Sequence, residues 1–415
     1  MQKIKLDFFS KESKLNKLTF ILIAFLPLSL FLGSAILNAF VVLSSIFFIL
    51  EIFKRKFYFN NQNNIFLLSF FILSLILNSI FISKVPVESL ERSLGVIRFL
   101  ILIMALRHII IFKKHKYERL LYKIWFIIFI ITTLDLIFEY FFGHNILGFK
   151  SYMSGRLSGF LNQELKIGNY YYGFILFAIS YLIYNFKNKI SIIVFCTFLF
   201  TSLIIGERAN FIRTFIMICI FFFLIEKNKF KKIITITLFV VVIILGFNNQ
   251  TTKERFIQAL GVVWNENREI TKSLLNTQYG AHYYAAIKIF EENKIFGIGT
   301  RNFRYVSGDP KFQDANNESV WSKHSWAPHP HQYHFEFLSE TGIVGYSIFI
   351  FTFFYLILKS IINYRKNNNL YQLSAILFVV TSLIPIIPTG SFFSPFGATI
   401  FWLNCAIMLA YNKSK

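Results

Sequence analysis

Three histidines and two glutamates crowd one stretch, Trp326-Ala-Pro-His329-Pro-His331-Gln-Tyr-His334-Phe-Glu336-Phe-Leu-Ser-Glu340-Thr-Gly342-Ile-Val-Gly345, where a polar segment becomes an apolar helix. Pro330 favours an extended chain at His329 and tolerates a helix beginning just after it. On an ideal helix of about 100° per residue, His331 and His334 share a face and Glu340 lies on the far side. An imidazole with an ordinary pKa near 6.5 can take a proton from a hydroxyl at neutral pH, so this stretch is the candidate general base. The spacing of His329, His331 and His334 also fits zinc. No cysteine is near, however, and the His-Glu-x-x-His order is absent. No Asp-x-Asp pair falls on the same side to hold a divalent ion against a sugar diphosphate. The expectation is therefore no metal and no cofactor, with arginines meeting any anionic leaving group.

Arg208 follows Gly206-Glu207 at the start of an apolar helix. Unpaired N–H groups and the helix dipole favour an anion there, and a guanidinium suits phosphate or pyrophosphate bidentately. Snorkelling to lipid headgroups is the plainer reading of the same position. Arg213, deeper in that helix, needs a partner or a polar cavity. A second polar segment, Gly155-Arg156-Leu-Ser-Gly159-Phe-Leu-Asn162-Gln163-Glu164-Leu-Lys166-Ile-Gly168, is either a solvated loop or a substrate-facing turn. In the second case Arg156 is a further phosphate contact and Glu164 a sugar or acid–base contact. Gly297-Ile-Gly299-Thr-Arg301-Asn-Phe303-Arg304 follows a helix rather than a strand, so it reads as a tight turn positioning Arg301 and Arg304, not as a nucleotide loop.

The elements that must hold these residues are membrane helices. Hydrophobic residues make up 55% of the chain, with 54 Phe and 20 Tyr, and only 15% are charged. A net charge of +22 would suggest nucleic acid in a soluble protein. Here the basic residues cluster in short connections between apolar runs, which excludes that partner and marks cytoplasmic loops facing a lipid bilayer. Cys196, Cys219 and Cys405 sit inside apolar runs and read as core residues. The N-terminal tail, with Lys3, Lys5, Lys11, Lys14 and Lys17, lacks a small-residue cleavage site and reads as cytoplasmic.

The run 18–53 is too long for one span, and Gly33-Ser34 suggests a reversal within it. Further spans fall near 64–83, 94–112, 121–142, 169–186, 190–205, 208–225, 233–247, 333–358, 370–388 and 396–411, with a short loop at 84–92. The expected fold class is all-α and polytopic, with about 12 transmembrane helices and both ends inside. Residues 1–247 form helices 1–9, 248–332 a large helical outer loop, and 333–415 helices 10–12. Within the outer loop, Tyr279 to Phe296 has the pattern of an amphipathic helix ended by Gly297-Ile298-Gly299. This arrangement puts 143–168, Gly206-Glu207-Arg208, the long outer segment and Ser391-Phe-Phe-Ser-Pro395 on one face.

In order, Gly-Glu-Arg, Ile-Phe-Gly-Ile-Gly-Thr-Arg-Asn-Phe and His-Pro-His-Gln-Tyr…Ser-Glu-Thr-Gly-Ile-Val-Gly resemble the O-antigen ligase and O-antigen polymerase family of bacterial membrane glycosyltransferases. The resemblance implies an inverting, metal-independent transfer at the periplasmic face of the inner membrane. The donor would be an undecaprenyl-pyrophosphate-linked glycan, and the acceptor a glycan or lipid A-core. Other polysaccharide-assembly membrane proteins are possible partners. Arg208 matches the family's pyrophosphate-binding arginine, helped by Arg156 or Arg301. His331 matches its essential histidine, with Glu340, Glu164, His282, His329 and Arg213 in support. The segment from Arg156 to Gly168 leans toward the polymerases. Ligases usually carry another arginine shortly before a tryptophan ahead of the Gly-x-Gly turn. Here that stretch is Tyr279-Gly-Ala-His282-Tyr283-Tyr284, so His282, Arg268 or Arg301 takes the role, or the assignment is not a ligase. The rival classes are a lipid-linked oligosaccharide flippase and a non-catalytic assembly subunit. Within the enzyme class, a protein O-glycosyltransferase shares these features.

Overall fold

The computed structural model describes residues 13–55, 62–112, 116–186, 191–248, 250–263, 277–314 and 323–412. The first 12 residues of the basic tail, Lys56, Lys113–His115, Lys187–Lys189 and Arg268 lie outside the described residues. Every regular element among the described residues is helical. The first half of the chain forms α1 (Lys14–Ala24), α2 (Leu26–Ser29), α3 (Ser34–Arg55), α4 (Gln62–Phe81), α5 (Pro86–Gly95), α6 (Ile97–Phe112) and α7 (Lys116–Phe142). Next come α8 (Ile167–Phe186), α9 (Ser191–Ile204), α10 (Arg208–Ile225), α11 (Lys229–Phe247) and α12 (Gln250–Val263). The rest forms α13 (Gln278–Glu292), α14 (Phe303–Val306), α15 (Tyr333–Asn367), α16 (Leu370–Ser382) and α17 (Pro395–Ala410).

A helix occupies each expected apolar span. Among the described residues, six are long and apolar enough to cross a membrane, and three shorter apolar helices accompany them. The surface supports a lipid environment. Phe66, Phe81 and Ile193 are 73%, 75% and 72% exposed, on the flanks of apolar helices where water would penalise them. The centre is α17, buried from Phe396 to Ala410 and apolar on every side, as a helix surrounded by other helices must be. Beneath the histidine segment, Phe337 stacks on Phe349 with ring centres 4.1 Å apart, and Phe392 packs edge-on to both. This is an integral membrane protein with an aromatic core.

Local structure departs from the sequence expectation at three places. The expected short loop at 84–92 is helical, because Pro86 in the first turn supplies a pre-set φ and Glu88 follows in that turn. The amphipathic segment forms a helix only to Glu292, where Asn293 takes over the last carbonyls. The helix after the histidines begins at Tyr333, with Gln332 as N-cap accepting from the N–H groups of His334 and Phe335. His331 therefore precedes the helix, at φ +60°, and the shared-face argument for His331 and His334 does not apply.

At Gly342, φ is +62° and ψ −168°, a conformation open essentially to glycine alone, and α15 kinks there. The kink receives the glycine turn. Ile298 and Gly299 N–H groups donate to the carbonyls of Ser339 and Glu340, while Ile343 and Val344 donate to Lys294 and Ile295. A methyl group on Gly342 would collide with the Ile295 carbonyl, and one on Gly297 with the Glu340 backbone. Gly342→Ala should therefore cost more than about 3 kcal/mol and lower the detergent melting temperature sharply. Gly33→Ala, also at positive φ but facing open space, should cost only about 1 kcal/mol. Equal melting temperatures for the two variants would contradict the interlock.

Candidate functional site

Two motifs far apart in sequence form one backbone unit here. Both Glu340 carboxylate oxygens are spent on the glycine turn, accepting from Arg301 N–H at 2.6 Å and Phe303 N–H at 3.2 Å. One turn earlier, Glu336 accepts from the Ser391 hydroxyl at 2.5 Å and Phe392 N–H at 2.8 Å. These buried carboxyl groups fasten loops on either side of α15. The α4–α5 corner grips the turn from behind. Asn78 donates to the Phe296 carbonyl and accepts from Thr300, and Asn302 bridges Ser83 and Val85.

In front of this unit the histidines gather. His331 lies 4.1 Å from His329, 5.3 Å from His282 and 5.4 Å from Tyr279, ring centre to ring centre. Burial lowers His331 to a pKa of about 4 and, with help from His331, His282 to about 4. His329 is driven lower still by burial, His331 and Arg301. All three are neutral at pH 7, the form a base requires. His282 Nδ1 and His329 Nε2 are buried without hydrogen-bond partners. His334 does not join them: its ring nitrogens face the Tyr346 hydroxyl at 3.0 Å and the Leu383 carbonyl at 2.9 Å. The zinc spacing read from sequence thus does not converge on one point.

Arginines reach the histidines by two routes. On the first, Arg208 donates to the Arg255 carbonyl at 3.3 Å, and Arg255 donates to the Gly206 carbonyl at 3.3 Å. Arg255 is near enough to Arg156, Arg208 and Glu207 to feel their charge and lies on the side of Tyr279, which abuts His331. Arg156 is held by Glu207 at 3.3 Å and by the Leu165 carbonyl at 2.5 Å. Three guanidinium groups and one carboxylate leave two positive charges. Close packing of Gly206 against the Gly155 carbonyl makes this possible. On the second route, Arg301 and Arg304 act on His329, and Arg301 also feels Arg92. Glu164 is exposed and ion-paired with Lys166.

Arg213 is buried in α10. It donates to the Ala209 and Pro388 carbonyls and lies over the Tyr172 ring at 5.3 Å. The loop it holds also donates Thr389 N–H to the His331 carbonyl at 2.6 Å, and its Ile386 carbonyl accepts from Tyr283. Arg213 thus links the helix that carries Arg208 to the segment that carries His331.

Residues 192–350 match the family model described as O-antigen ligase. That stretch, 159 of the 415 residues, is similar to the O-antigen ligase family. A search of curated proteins finds no match. The matched stretch spans Arg208, Arg213, Arg255, His282, Arg301, His329, His331 and Glu340, while Arg156 and Glu164 precede it. Sequence reasoning missed Arg255 and Tyr279. Arg255 stands in the unremarkable run Lys253-Glu254-Arg255-Phe256, and only the return of α12 to Gly206 reveals it.

Because folding lowers all three histidine pKa values, these histidines bind more protons in the unfolded chain below about pH 6.5. Their contribution to stability is full above pH 6.5 and declines as pH falls toward 4. His329→Gln should therefore lose less of its detergent melting temperature over that window than the unsubstituted protein. An unchanged slope in that variant would assign the pH dependence to other groups.

Proposed function

We propose that this chain is a glycosyltransferase of the bacterial inner membrane, moving a glycan from undecaprenyl pyrophosphate to a sugar hydroxyl at the periplasmic face. On the expected count of twelve spans with both termini in the cytoplasm, the histidine end of the bundle lies outside. The observations that support the reading are the Arg208 bond to the Arg255 carbonyl, the electrostatic reach of Arg255 to Tyr279, and the Tyr279 ring against His331, all at one end of the helices.

Arg208 and Arg255 hold the donor diphosphate, whose two charges match the local surplus, while Arg156 and Glu207 brace them. The acceptor hydroxyl attacks the anomeric carbon opposite the leaving group. The carbon–oxygen bond to pyrophosphate breaks, configuration inverts, and the hydroxyl proton passes to His331. The arginines stabilise the departing negative charge. A pKa near 4 makes His331 a weak base in the empty protein. Two phosphate charges arriving nearby favour its protonated form and raise that value toward neutrality. His282 and His329, both neutral, surround it without adding repulsion. Metal independence follows in this mechanism because guanidinium groups do the work of a cation.

The acceptor is a glycan or lipid A-core. The Arg156–Gly168 segment, packed against the start of α10, leans the reading to polymerisation rather than ligation. His331→Ala should abolish transfer in membranes while the lipid-linked donor accumulates. Normal glycan chains in that variant would remove His331 from the role of base. Arg208→Lys should also fail, since a point charge does not replace a bidentate fork; full activity would leave only a headgroup anchor. A deletion strain should carry single repeats on core. Long unattached chains on the carrier lipid would instead identify a ligase.

A further inference from the structure

Arg92, Arg301 and Arg304 form a group that the donor reading does not use. They come from the last turn of α5, the glycine turn and α14, which hydrogen bonds from Tyr305 to Glu88 and from Asn302 to Ser83 draw together, within electrostatic range of one another. Among the described residues none of the three makes a side-chain ion pair, and Arg304 Nε is buried without a hydrogen-bond partner. Glu340 and Glu336 offset part of the Arg301 charge, but their oxygens accept from Arg301 N–H, Phe303 N–H, Ser391 and Phe392, and neither forms an ion pair with the guanidinium. Glu88 is taken by the Tyr305 hydroxyl. His329, whose Nε2 is also buried and unpartnered, separates this group from His331.

A buried donor left without a partner costs free energy, and a fixed anion accepting from Arg304 Nε removes that cost. The diphosphate is already matched on the other route, through Arg255 and Tyr279. We propose that Arg92, Arg301 and Arg304, with His329, form a second anion site that takes a phosphate or carboxylate carried by the acceptor sugar. This rests on the reading of Arg208 and Arg255 as the donor site, and it moves Arg301 from the donor diphosphate to the acceptor. The anionic group of the acceptor docks on the guanidinium side of His329, and its hydroxyl then faces His331. The enzyme thereby selects acidic acceptors.

The test uses the full-length protein in phosphatidylcholine nanodiscs, titrated calorimetrically with glucose 6-phosphate, methyl glucuronide and inorganic pyrophosphate. At least one sugar anion should bind alongside saturating pyrophosphate. Arg304→Gln should weaken sugar-anion binding about 10- to 100-fold and leave pyrophosphate binding unchanged, which also reports an intact fold. Displacement of the sugar by pyrophosphate, or weakened pyrophosphate binding in Arg304→Gln, would mean one diphosphate site and overturn the proposal. So would the absence of binding by both sugars. Loss of sugar binding in discs containing phosphatidylglycerol would reveal a lipid headgroup site and overturn it equally. Arg208→Gln supplies the separate control: surviving pyrophosphate affinity there sinks the donor reading, whereas the sugar arm judges the second site.

Discussion

A kinked helix and a glycine turn hold each other through main-chain hydrogen bonds, and the site rests on that clasp. Gly342 and Gly297 adopt positive φ so that two backbones can approach closer than any side chain permits. The Glu340 carboxylate then closes the clasp on the N–H groups of Arg301 and Phe303. Burying a carboxylate is expensive unless its lone pairs are filled, and main-chain donors fill them here. Arg301 is consequently set by its backbone at φ +62°, not by a flexible ion pair.

A second tie runs on the other side. Arg213 binds the Pro388 carbonyl, Thr389 binds the His331 carbonyl, and Glu336 binds Ser391 and Phe392. One loop between α16 and α17 thereby fixes both the helix that presents Arg208 and the strained residue that presents His331. A buried arginine far from water is tolerable because a carbonyl and an aromatic face receive it. Its part in the proposed chemistry is to keep two other residues in register.

Much of this was legible in the sequence. Apolar run lengths located the helices, since burial in lipid leaves the backbone few alternatives. The mixture of histidine, arginine and glycine marked the segments that meet at one end of the helices. What escaped was set by backbone geometry and by chain return. Helical periodicity put His331 on a face with His334, yet the helix starts after His331, and the two rings point to different neighbours. Arg255 carries no local signature and acquires meaning only where α12 folds back on Gly206. The sequence left Arg156 between a solvated loop and a phosphate contact, and its ion pair with Glu207 across the Gly206 contact carried no local signature.

The account stands on one site in which the first set of arginines grips phosphate while His331 faces the reacting sugar. Cryo-electron microscopy of the nanodisc-embedded protein with an undecaprenyl-pyrophosphate-linked glycan measures this directly. The diphosphate should lie against Arg208 and Arg255, with the His331 ring within about 3–3.5 Å of the hydroxyl position opposite the scissile bond. A diphosphate seated away from both arginines, or an anomeric carbon too distant for His331 to serve its attacker, would contradict it.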